Sequence, residues 1–471
     1  MASALSRFWV LAARIGIALM TTTKSSSVFL LAKSAITGAL GGLLFGFDTA
    51  VIAGITHALT DKYQLSPANL GFTVSIALWG TVIGAMASGS LGQKLGSRKA
   101  LRWMAVLYVV SALGCALAGS WGMFLFFRFL GGLGIGGSSV LGPVYIAELS
   151  PAKWRGRMVG LFQINVVVGI LLAYMSNAIV AHFVQGGIQW RVQIGVAFVP
   201  ALLFLIMLLS VPQSSRWLIT QNRIAEATLT LQRMGSPDSE AEVQEIIESI
   251  RQERLESATK LFSAQNRLPI FLAISIGMFN QLTGINAILY YLNDIFASAG
   301  FNQVSSDLQA VAIGAMNLVA TLAGVSLIDK VGRKKLLLVG AVGCGVCLLA
   351  AAMIFQTASH QQYLLAVLIA YIVFFAFSQG AVIWVYISEV FPTSVRSKGQ
   401  SLGSSAHWIT NALIASIFPV LARYSKSIPF FFFAAMMVVQ FLVVLLVYPE
   451  TKGFTLESMQ KHLHEKVKPV H

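Results

Sequence analysis

Two opposite charges lie inside long apolar stretches of this sequence. Asp48 lies in a stretch of Gly, Leu, Phe and Ala, and Arg128 lies among Phe, Leu and Gly. His57 lies near the outer end of the helix that contains Asp48, and Trp121 lies near the outer end of the helix that contains Arg128. At a rise of about 1.5 Å per residue, both charged residues lie roughly 10–14 Å from these outer ends. The two side chains can therefore meet, either as a static ion pair or as a proton switch. In a switch Asp48 would bind the proton, because arginine stays charged in proteins.

A second group consists of uncharged polar side chains in similarly apolar surroundings. Amides, indoles and an imidazole supply directional donors and acceptors without net charge, and the indoles add a flat apolar face. This combination suits an uncharged ligand that is rich in hydroxyl groups, although amides in membrane helices can also serve only to join helices. The candidates are Gln163, Asn280, Gln281, Asn286, Asn317, Trp384, His407, Trp408 and Asn411.

Composition indicates which elements must position these residues. Of the 471 residues, 56% are hydrophobic and 11% are charged, whereas a soluble domain carries roughly 25% charged residues. Apolar stretches of about 20 residues, the length that crosses a bilayer core, occur twelve times. The alternating pattern of membrane β-barrels is absent. The sequence therefore predicts an all-α membrane protein with 12 transmembrane helices, in contact with membrane lipid.

The placement of charge predicts the orientation. The net charge of +15 would be compatible with nucleic-acid binding, but the basic residues cluster in alternate short loops, as the positive-inside rule requires of a membrane protein. We therefore expect both termini in the cytoplasm, no nucleic-acid partner and, because no long glycosylated loop is present, a bacterial inner (plasma) membrane. In this orientation the basic residues of the outer loops are Lys62, Arg191, Arg423 and Lys426.

The two halves of the chain repeat each other. One of three motifs that recur in the same order comprises Tyr145, Glu148 and Arg155 in the first copy and Tyr386, Glu389 and Arg396 in the second, at an offset of 241 residues. Two parallel six-helix halves with a binding site between them form the major facilitator fold. The predicted parts are an N-terminal lead-in (1–27, with Met20 as an alternative start), an N-terminal six-helix half (28–212), a cytoplasmic helical linker (213–267), a C-terminal six-helix half (268–448) and a cytoplasmic tail (449–471). Within the linker, periodic apolar residues predict an amphipathic helix over 238–256.

These motifs resemble those of the sugar porter family of the major facilitator superfamily, over essentially residues 28–460. That family contains proton-coupled bacterial sugar symporters and facilitative glucose transporters. The matching segments are GGLLFGFDTAVIAG (41–54), RFLGGLGIG (128–136), QLTGINAILYY (281–291), GRKK (332–335) and PETKGFTLE (449–457). Any one of them alone would be weak, but together they are specific.

The resemblance implies roles for individual residues. Proton-coupled members of the family carry Asp at the position of Asp48, and facilitative members carry Asn. Three departures concern the sugar site: Asn280 stands where a second Gln is usual, His407 stands where Gln or Asn is common, and Ile170 matches the glucose carriers rather than the xylose symporter. Together they favour a hexose over xylose. The implied sugar contacts are Gln163, Gln281, Asn286, Asn317, Trp384 and Trp408, with Tyr290 at the outer gate.

The resemblance also implies a cytoplasmic gate of matched charges at the inner helix ends. Such pairs lock the two halves together when a carrier of this family faces outward. Anchoring by basic loops alone would explain the Lys and Arg residues but not the matched Glu residues. Gln93 and Ser97 replace charged positions that the second copy keeps with Asp329 and Arg333, which predicts a looser lock in the first half. The gate residues are Arg98, Glu148, Arg155, Arg333, Glu389 and Arg396.

The resulting expectation is a transport protein, not an enzyme. It would be a proton-coupled monosaccharide symporter that works by alternating access as a monomer, with the proton as coupling ion and no metal or other cofactor. A facilitative sugar uniporter is the first alternative, and a sugar sensor or a drug–proton antiporter on the same fold are alternatives of other classes. The glycine run at 131–137 resembles a nucleotide-binding motif, but it follows an apolar helix rather than a strand, which favours close helix packing instead.

Overall fold

The computed structural model describes residues 25–151, 154–256, 261–392 and 395–452, and the regular elements in these ranges are α-helices and short 3₁₀ turns. The lead-in up to residue 24, with the alternative start at Met20, and the tail beyond Lys452 lie outside these ranges. Within the described residues, twelve helical segments are long and apolar enough to cross a membrane. The predicted all-α membrane fold with twelve spans is confirmed.

The first half consists of six spans, and two of them begin with a capping serine. Ser66 accepts a hydrogen bond from the backbone of Asn69 at 3.2 Å and precedes Pro67, and Ser120 does the same for Met123 at 3.3 Å, so both spans begin with a side-chain cap. The helices are α1 (Ser25–Val51, continued by a 3₁₀ turn at Ile52–Gly54), α2 (Thr56–Tyr63), α3 (Pro67–Leu95), α4 (Ser97–Leu117), α5 (Trp121–Leu149), α6 (Arg155–Phe183), α7 (Gln189–Gly195) and α8 (Phe198–Leu209).

The linker between the halves contains three helices, α9 (Ser215–Thr220), α10 (Ile224–Arg233) and α11 (Ser239–Glu256). The amphipathic helix predicted at 238–256 is α11. Its apolar residues Val243 and Ile247 pack on Leu218 and Leu231 of the two preceding helices. The sequence analysis did not predict α9 and α10, because each has fewer turns than a periodic pattern needs to stand out.

The second half repeats the arrangement of the first. Its helices are α12 (Arg267–Leu282), α13 (Ile285–Tyr290), α14 (Leu292–Ser298), α15 (Gln303–Val331), α16 (Arg333–Thr357), α17 (Leu364–Phe377), α18 (Gln379–Val390), α19 (Arg396–Tyr424) and α20 (Ile428–Leu446). Gly96 ends α3 with φ +80° and Gly332 ends α15 with φ +98°. Side chains with a Cβ rarely adopt this backbone conformation, which explains why both copies of the motif carry glycine there.

Several spans are interrupted rather than continuous. The seventh span bends at Gly284, which has φ +85° and packs against the ring of Phe433. The tenth span is divided at Ser378, where α17 ends and α18 begins. Interrupted membrane helices expose backbone and place polar side chains at mid-depth, which is where transporters of this fold bind substrates.

Glycines allow close packing inside the first half, as the sequence analysis predicted for the run at 131–137. A Cβ at Gly132 of α5 would collide with the carbonyl oxygen of Ala77 in α3, and one at Gly136 would collide with that of Thr81. The two helices therefore approach backbone to backbone. This packing holds α5, and with it Arg128, in a fixed position inside the first half.

The two halves contact each other mainly toward one end of the bundle. We call the end that carries the linker the linker face, and the other end, with α2 and α14, the distal face. On the distal side, Gly71 of α3 lies under the carbonyl of Ser416 in α19. Gly314 of α15 packs on Tyr174 of α6, whose hydroxyl donates to the carbonyl of Leu289 at 2.8 Å. The described residues therefore form a structure that is closed on its distal side.

Candidate functional site

The predicted meeting of Asp48 and Arg128 occurs in the structure. Arg128 of α5 donates from Nη1 to Oδ1 of Asp48 in α1. The Arg128 residue is only 3% exposed, so the charge has little contact with water. Its Nε is buried and has no hydrogen-bond partner among the residues that the structure describes. The pair is thus an ion pair in apolar surroundings, with one donor of the arginine still unsatisfied.

Cavities lie on both sides of this ion pair. One of about 10 Å³ is lined by Phe45, Thr49, Tyr290 and Trp408 and opens between the two halves. The other, of about 20 Å³, lies inside the first half and is lined by residues that include Tyr108, Ser111, Cys115 and Ile194. The ion pair therefore separates the interface between the halves from the interior of the first half.

An amide network surrounds the bend of the seventh span. Gln281 donates from Nε2 to Oδ1 of Asn280 at 3.1 Å and lies 3.1 Å from Nε2 of His407. Asn286, on the far side of the bend, donates to Oε1 of Gln281 at 3.0 Å. Four of the predicted polar residues therefore share one hydrogen-bonded cluster. The break at Gly284 allows Asn286 to turn back toward Gln281.

Aromatic rings line the same cluster. The imidazole of His407 lies between the indoles of Trp384 and Trp408, with ring centroids 5.1 and 5.0 Å away. Trp408 in turn contacts Phe45 of the first half, at 5.2 Å between centroids. Flat apolar faces beside amide donors and acceptors can bind a ring that carries both C–H groups and hydroxyls.

Tyr290 connects the polar cluster with the ion pair. Its hydroxyl accepts a hydrogen bond from Nδ2 of Asn411 at 3.1 Å, and its side chain lines the 10 Å³ cavity beside Asp48 and Arg128. Tyr290 is 3% exposed, and it is the last residue of α13, on the distal side of the bend. A movement of α13 would therefore change the contacts of the polar cluster and the surroundings of Asp48.

Two predicted residues are not joined to this network. Gln163 is half-buried on α6 and makes no side-chain hydrogen bond within the described part of the chain. Asn317 is buried on α15, where its Oδ1 accepts only from Thr321, at 3.5 Å. Both lie on helices that contact each other across the interface between the halves.

The sequence analysis also missed residues that belong to the site. Phe45 and Thr49 line the cavity beside Asp48, and their position within one helical turn of Asp48 was a signal that a helical projection would have found. Gln379 donates to Gln440 at 2.8 Å, and its carbonyl accepts from Asn280 at 3.3 Å. These buried amides of two neighbouring spans hold Asn280 in place.

The charges at the linker face are paired in the second half. Arg333 donates from Nε and Nη2 to both carboxylate oxygens of Glu389, at 3.1 and 2.8 Å. Thr451 adds a hydrogen bond to Glu389 at 2.6 Å, and Glu450 accepts from the backbone of Arg333 at 2.9 Å. Arg396 lies half-buried at the start of α19. Arg333 and Glu389 both belong to the second half, so this pair ties α16 to α18 within that half.

The first half has a different arrangement at the same face. Glu148 accepts from the hydroxyl of Ser97 at 3.1 Å, and Arg98 donates to the carbonyl of Val211 at 2.9 Å. Arg155 is exposed and has no side-chain hydrogen bond or ion pair to a described residue. The structure therefore does not join Arg98, Glu148 and Arg155 to one another, and the predicted lock between the halves in an outward-facing carrier stays a prediction. The substitution of Ser97 for a longer charged side chain explains why Glu148 receives a hydroxyl instead of a guanidinium.

The chain is similar to known proteins over most of its length, both in sequence and in structure. A family model described as "Sugar (and other) transporter" matches residues 34–463. The arabinose-proton symporter of Bacillus subtilis is 33% identical over 447 residues, which cover 93% of this chain and 96% of that relative. The D-xylose-proton symporter of Escherichia coli is 33% identical over 481 residues, with the same coverage of both chains. The inward open conformation of the xylose transporter XylE from E. coli superimposes with a TM-score of 0.82 at 32% identity, covering 92% of this chain and 99% of that structure.

Proposed function

The chain belongs to the sugar porter family of the major facilitator superfamily, and on that premise we propose that it carries a monosaccharide across a membrane together with a proton. The family consists of transporters, and the protein is not an enzyme. The single observation that carries the proposal is the position of the Asp48–Arg128 pair, which shares a cavity with Tyr290 and Trp408. The proton site and the sugar site would then be coupled, because side chains of both sites line the same cavity.

In this mechanism Asp48 is the residue that binds the proton. A carboxylate in the membrane interior is stable only when it is paired or protonated, and Arg128 supplies the pairing in the closed structure. Protonation of Asp48 from the distal side would release Arg128, and the pair would form again when the proton leaves on the linker side. Arginine cannot take over this role because it does not lose its proton in proteins.

The sugar would bind between the halves, at the cluster around the bend of the seventh span. Gln281, Asn286 and His407 offer donors and acceptors there, and Trp384 and Trp408 offer apolar faces. Other proposed contacts are Gln163, Asn280, Asn317 and Asn411, with Tyr290 as the gate on the distal side. The close partners of Gln281 support this assignment, because a sugar hydroxyl could replace any of them.

Alternating access is proposed as the mode of transport. The distal side is closed through Gly71 and Tyr174, which corresponds to a carrier that faces the linker side. The Arg and Glu residues at the linker face would close that side in the opposite state. By the positive-inside rule the linker face is cytoplasmic, and we place the protein, as a monomer, in a bacterial inner membrane with both termini in the cytoplasm.

A hexose is the proposed substrate class. Ile170 is buried in α6, and His407 occupies the centre of the polar cluster. The family resemblance associates Ile170 with the glucose carriers rather than the xylose symporter, and His407 lacks the amide that is common at its position. The relatives reported above are named for arabinose and xylose, so the choice of sugar depends on these two positions in this chain.

Uptake into proteoliposomes tests the proposal. Labelled glucose, galactose, fructose and xylose are offered with and without an inward proton gradient, to the wild type and to Asp48→Asn. The proposal expects the gradient to drive accumulation of a hexose in the wild type, and expects Asp48→Asn to lose accumulation while it keeps counterflow exchange. If the wild type only equilibrates sugar and the variant behaves in the same way, the protein is a uniporter. If neither protein moves sugar, a sugar sensor or a drug–proton antiporter becomes the better interpretation.

A further inference from the structure

Asp294 is a half-buried acidic residue that the mechanism above does not use. It lies on α14, beyond the seventh span, and α14 packs against the 3₁₀ turn at Ile52–Gly54 of the first half. Its Oδ2 is buried and has no hydrogen-bond partner among the described residues. The hydroxyl of Thr56, which belongs to the first half, lies close enough to the carboxyl group to oppose the rise of its pKa. One carboxyl of the second half is therefore enclosed by the first half at the distal face.

The surrounding charges do not neutralise Asp294. His57 is largely exposed and pairs with Asp61 at 2.9 Å. Lys62 lies over the ring of Trp190 at 5.5 Å, and Lys426 donates to the carbonyl of Ser298 at 2.9 Å. The titratable groups of the distal segments around α14 are His57, Asp61, Lys62, Tyr63, Tyr290, Tyr291, Asp307 and Lys426.

Enclosure of this carboxyl favours its neutral form. Burial raises the pKa of Asp294 to about 6, and the hydrogen bond from Thr56 and the nearby His57 only partly oppose this effect. An ionised carboxylate with an open oxygen in a dry site is costly, whereas the protonated group is tolerated. When the halves separate at the distal face, water reaches the carboxyl and restores a pKa of about 3.9.

We propose that Asp294 is a second proton-binding residue, which takes up a proton from the distal solvent as the two halves close there and returns it to the same side when they part. This inference rests on the proposed function of the protein as a proton-coupled carrier. Unlike the proton on Asp48, the proton on Asp294 would not cross the membrane. Asp294 would thus set how readily the carrier closes at a given distal pH, without changing how many protons accompany each sugar.

The direction and size of the effect follow from the two protonation states. The closed state binds the proton more tightly, so closure is favoured below a pH of about 6 and this advantage is lost as the pH rises through that value. Between pH 7.5 and pH 5 the ratio of closed to open carrier should rise about tenfold.

Distance measurements between spin labels on the two halves test this inference. Ala68 and Gln362 are exposed on the distal face, one on each half, and can be replaced by cysteine. The native Cys115, Cys344 and Cys347 are buried, so the labels will go to the new sites. The Asp48→Asn background removes the titration of Asp48. We expect the ratio of closed to open carrier to rise about tenfold from pH 7.5 to pH 5 when Asp294 is present, and to stay high and independent of pH in Asp294→Asn.

Matched controls separate Asp294 from its neighbours. Asp307→Asn changes a second buried carboxyl of the distal side, but Asp307 accepts from Asn293 of its own half, so the pH dependence should remain. His57→Gln removes the neighbouring imidazole and should also keep it. The inference is overturned if Asp294→Asn retains the same pH dependence, or if either control abolishes it.

Two further measurements test the role of Asp294. Should Asp294→Asn fail to fold, Thr56→Val removes the hydroxyl that favours the ionised form, and it should move the midpoint of closure to higher pH; an unchanged midpoint contradicts the proposal. In transport, Asp294→Asn should alter the dependence of the uptake rate on distal pH but keep the steady-state accumulation ratio. A lost accumulation ratio would place Asp294 on the path of the transported proton. If the wild type shows no proton-driven accumulation, the proposed function fails, and the spin-label result still decides the role of Asp294.

Discussion

Arg128 in α5 donates to Asp48 in α1, and the resulting ion pair lies between a cavity at the interface of the two halves and a cavity inside the first half. The carboxyl can therefore exchange its partner for a proton without leaving its place in α1. The backbone contacts at Gly132 and Gly136 hold α5 against α3, and those at Gly42 and Gly46 hold α1 against α6, so each member of the pair lies on a helix that is closely packed inside the first half.

Removing only Arg128 should destabilise the protein more than removing the charges of both Arg128 and Asp48. Arg128→Gln leaves a buried carboxylate without its cation, a loss of roughly 3–5 kcal/mol if the charge persists. The double variant with Asp48→Asn removes the charge as well and should recover most of that stability. Thermal unfolding of purified protein at neutral pH measures both. Equal destabilisation of the single and the double variant would mean that Asp48 is neutral in the folded protein.

A larger side chain at Gly71 should prevent closure of the distal side. Any Cβ there meets the carbonyl of Ser416 in the other half, so Gly71→Leu is expected to reduce uptake more than tenfold while sugar binding from the distal side persists. Gly89→Leu is the matched control, because it lies on the same helix and has no atom within 4 Å of the added carbon. Uptake and equilibrium binding of labelled sugar are compared. Normal uptake in Gly71→Leu would show that the two halves separate elsewhere.

His407 should determine how the sugar is held. Replacing it with Gln keeps one donor and one acceptor but removes the ring that packs between Trp384 and Trp408. We expect the KM for a hexose to rise about three- to tenfold, the equivalent of one hydrogen bond or ring contact, and the preference to move toward xylose. His360→Gln, at an exposed position, serves as control. An unchanged ratio of hexose to xylose uptake would remove His407 from the specificity argument.

The two halves should respond unequally to loss of the linker-face arginines. Arg333→Gln removes both hydrogen bonds to Glu389, and Arg98→Gln removes one to the backbone carbonyl of Val211. Both arginines are charged donors, but Arg333 makes two hydrogen bonds to an ionised carboxylate and Arg98 makes one to a neutral carbonyl, and each hydrogen bond to a charged group contributes about 1.5–3 kcal/mol. Arg333→Gln should therefore lower the midpoint of thermal unfolding further than Arg98→Gln. The reverse order would contradict the view that the first half is the more loosely held of the two.

The sequence predicted the number of spans and the contact between Asp48 and Arg128, because both follow from helix length and rise. It did not predict the bend at Gly284 or the division of the tenth span at Ser378. An apolar stretch looks the same whether its helix is straight or broken, and the glycine of the bend has equivalents elsewhere that lie in straight helices. The turn of Asn286 toward Gln281 depends on that bend, so the hydrophobic pattern of the sequence could not predict the geometry of the polar cluster.

The charges at the linker face show a second limit. The repeat matched Glu148 with Glu389 and Arg155 with Arg396, and the replacement of a charged position by Ser97 predicted a looser lock in the first half. In the structure the partner of Glu389 is Arg333, whereas Glu148 receives the hydroxyl of Ser97. Spacing alone identifies which residues recur, but a single change of side-chain length decides which of them reach each other.

The linker is attached to the first half. Trp217 donates to the carbonyl of Gln93 at 2.9 Å, and Gln213 accepts from the backbone of Arg98 at 3.1 Å, so α9 travels with that half. A chain divided after Glu256 would leave every helix of either half intact. Two such fragments, produced together, should complement each other to give an active carrier. Covalent continuity would then act as a tether, which keeps one half at a high effective concentration near the other.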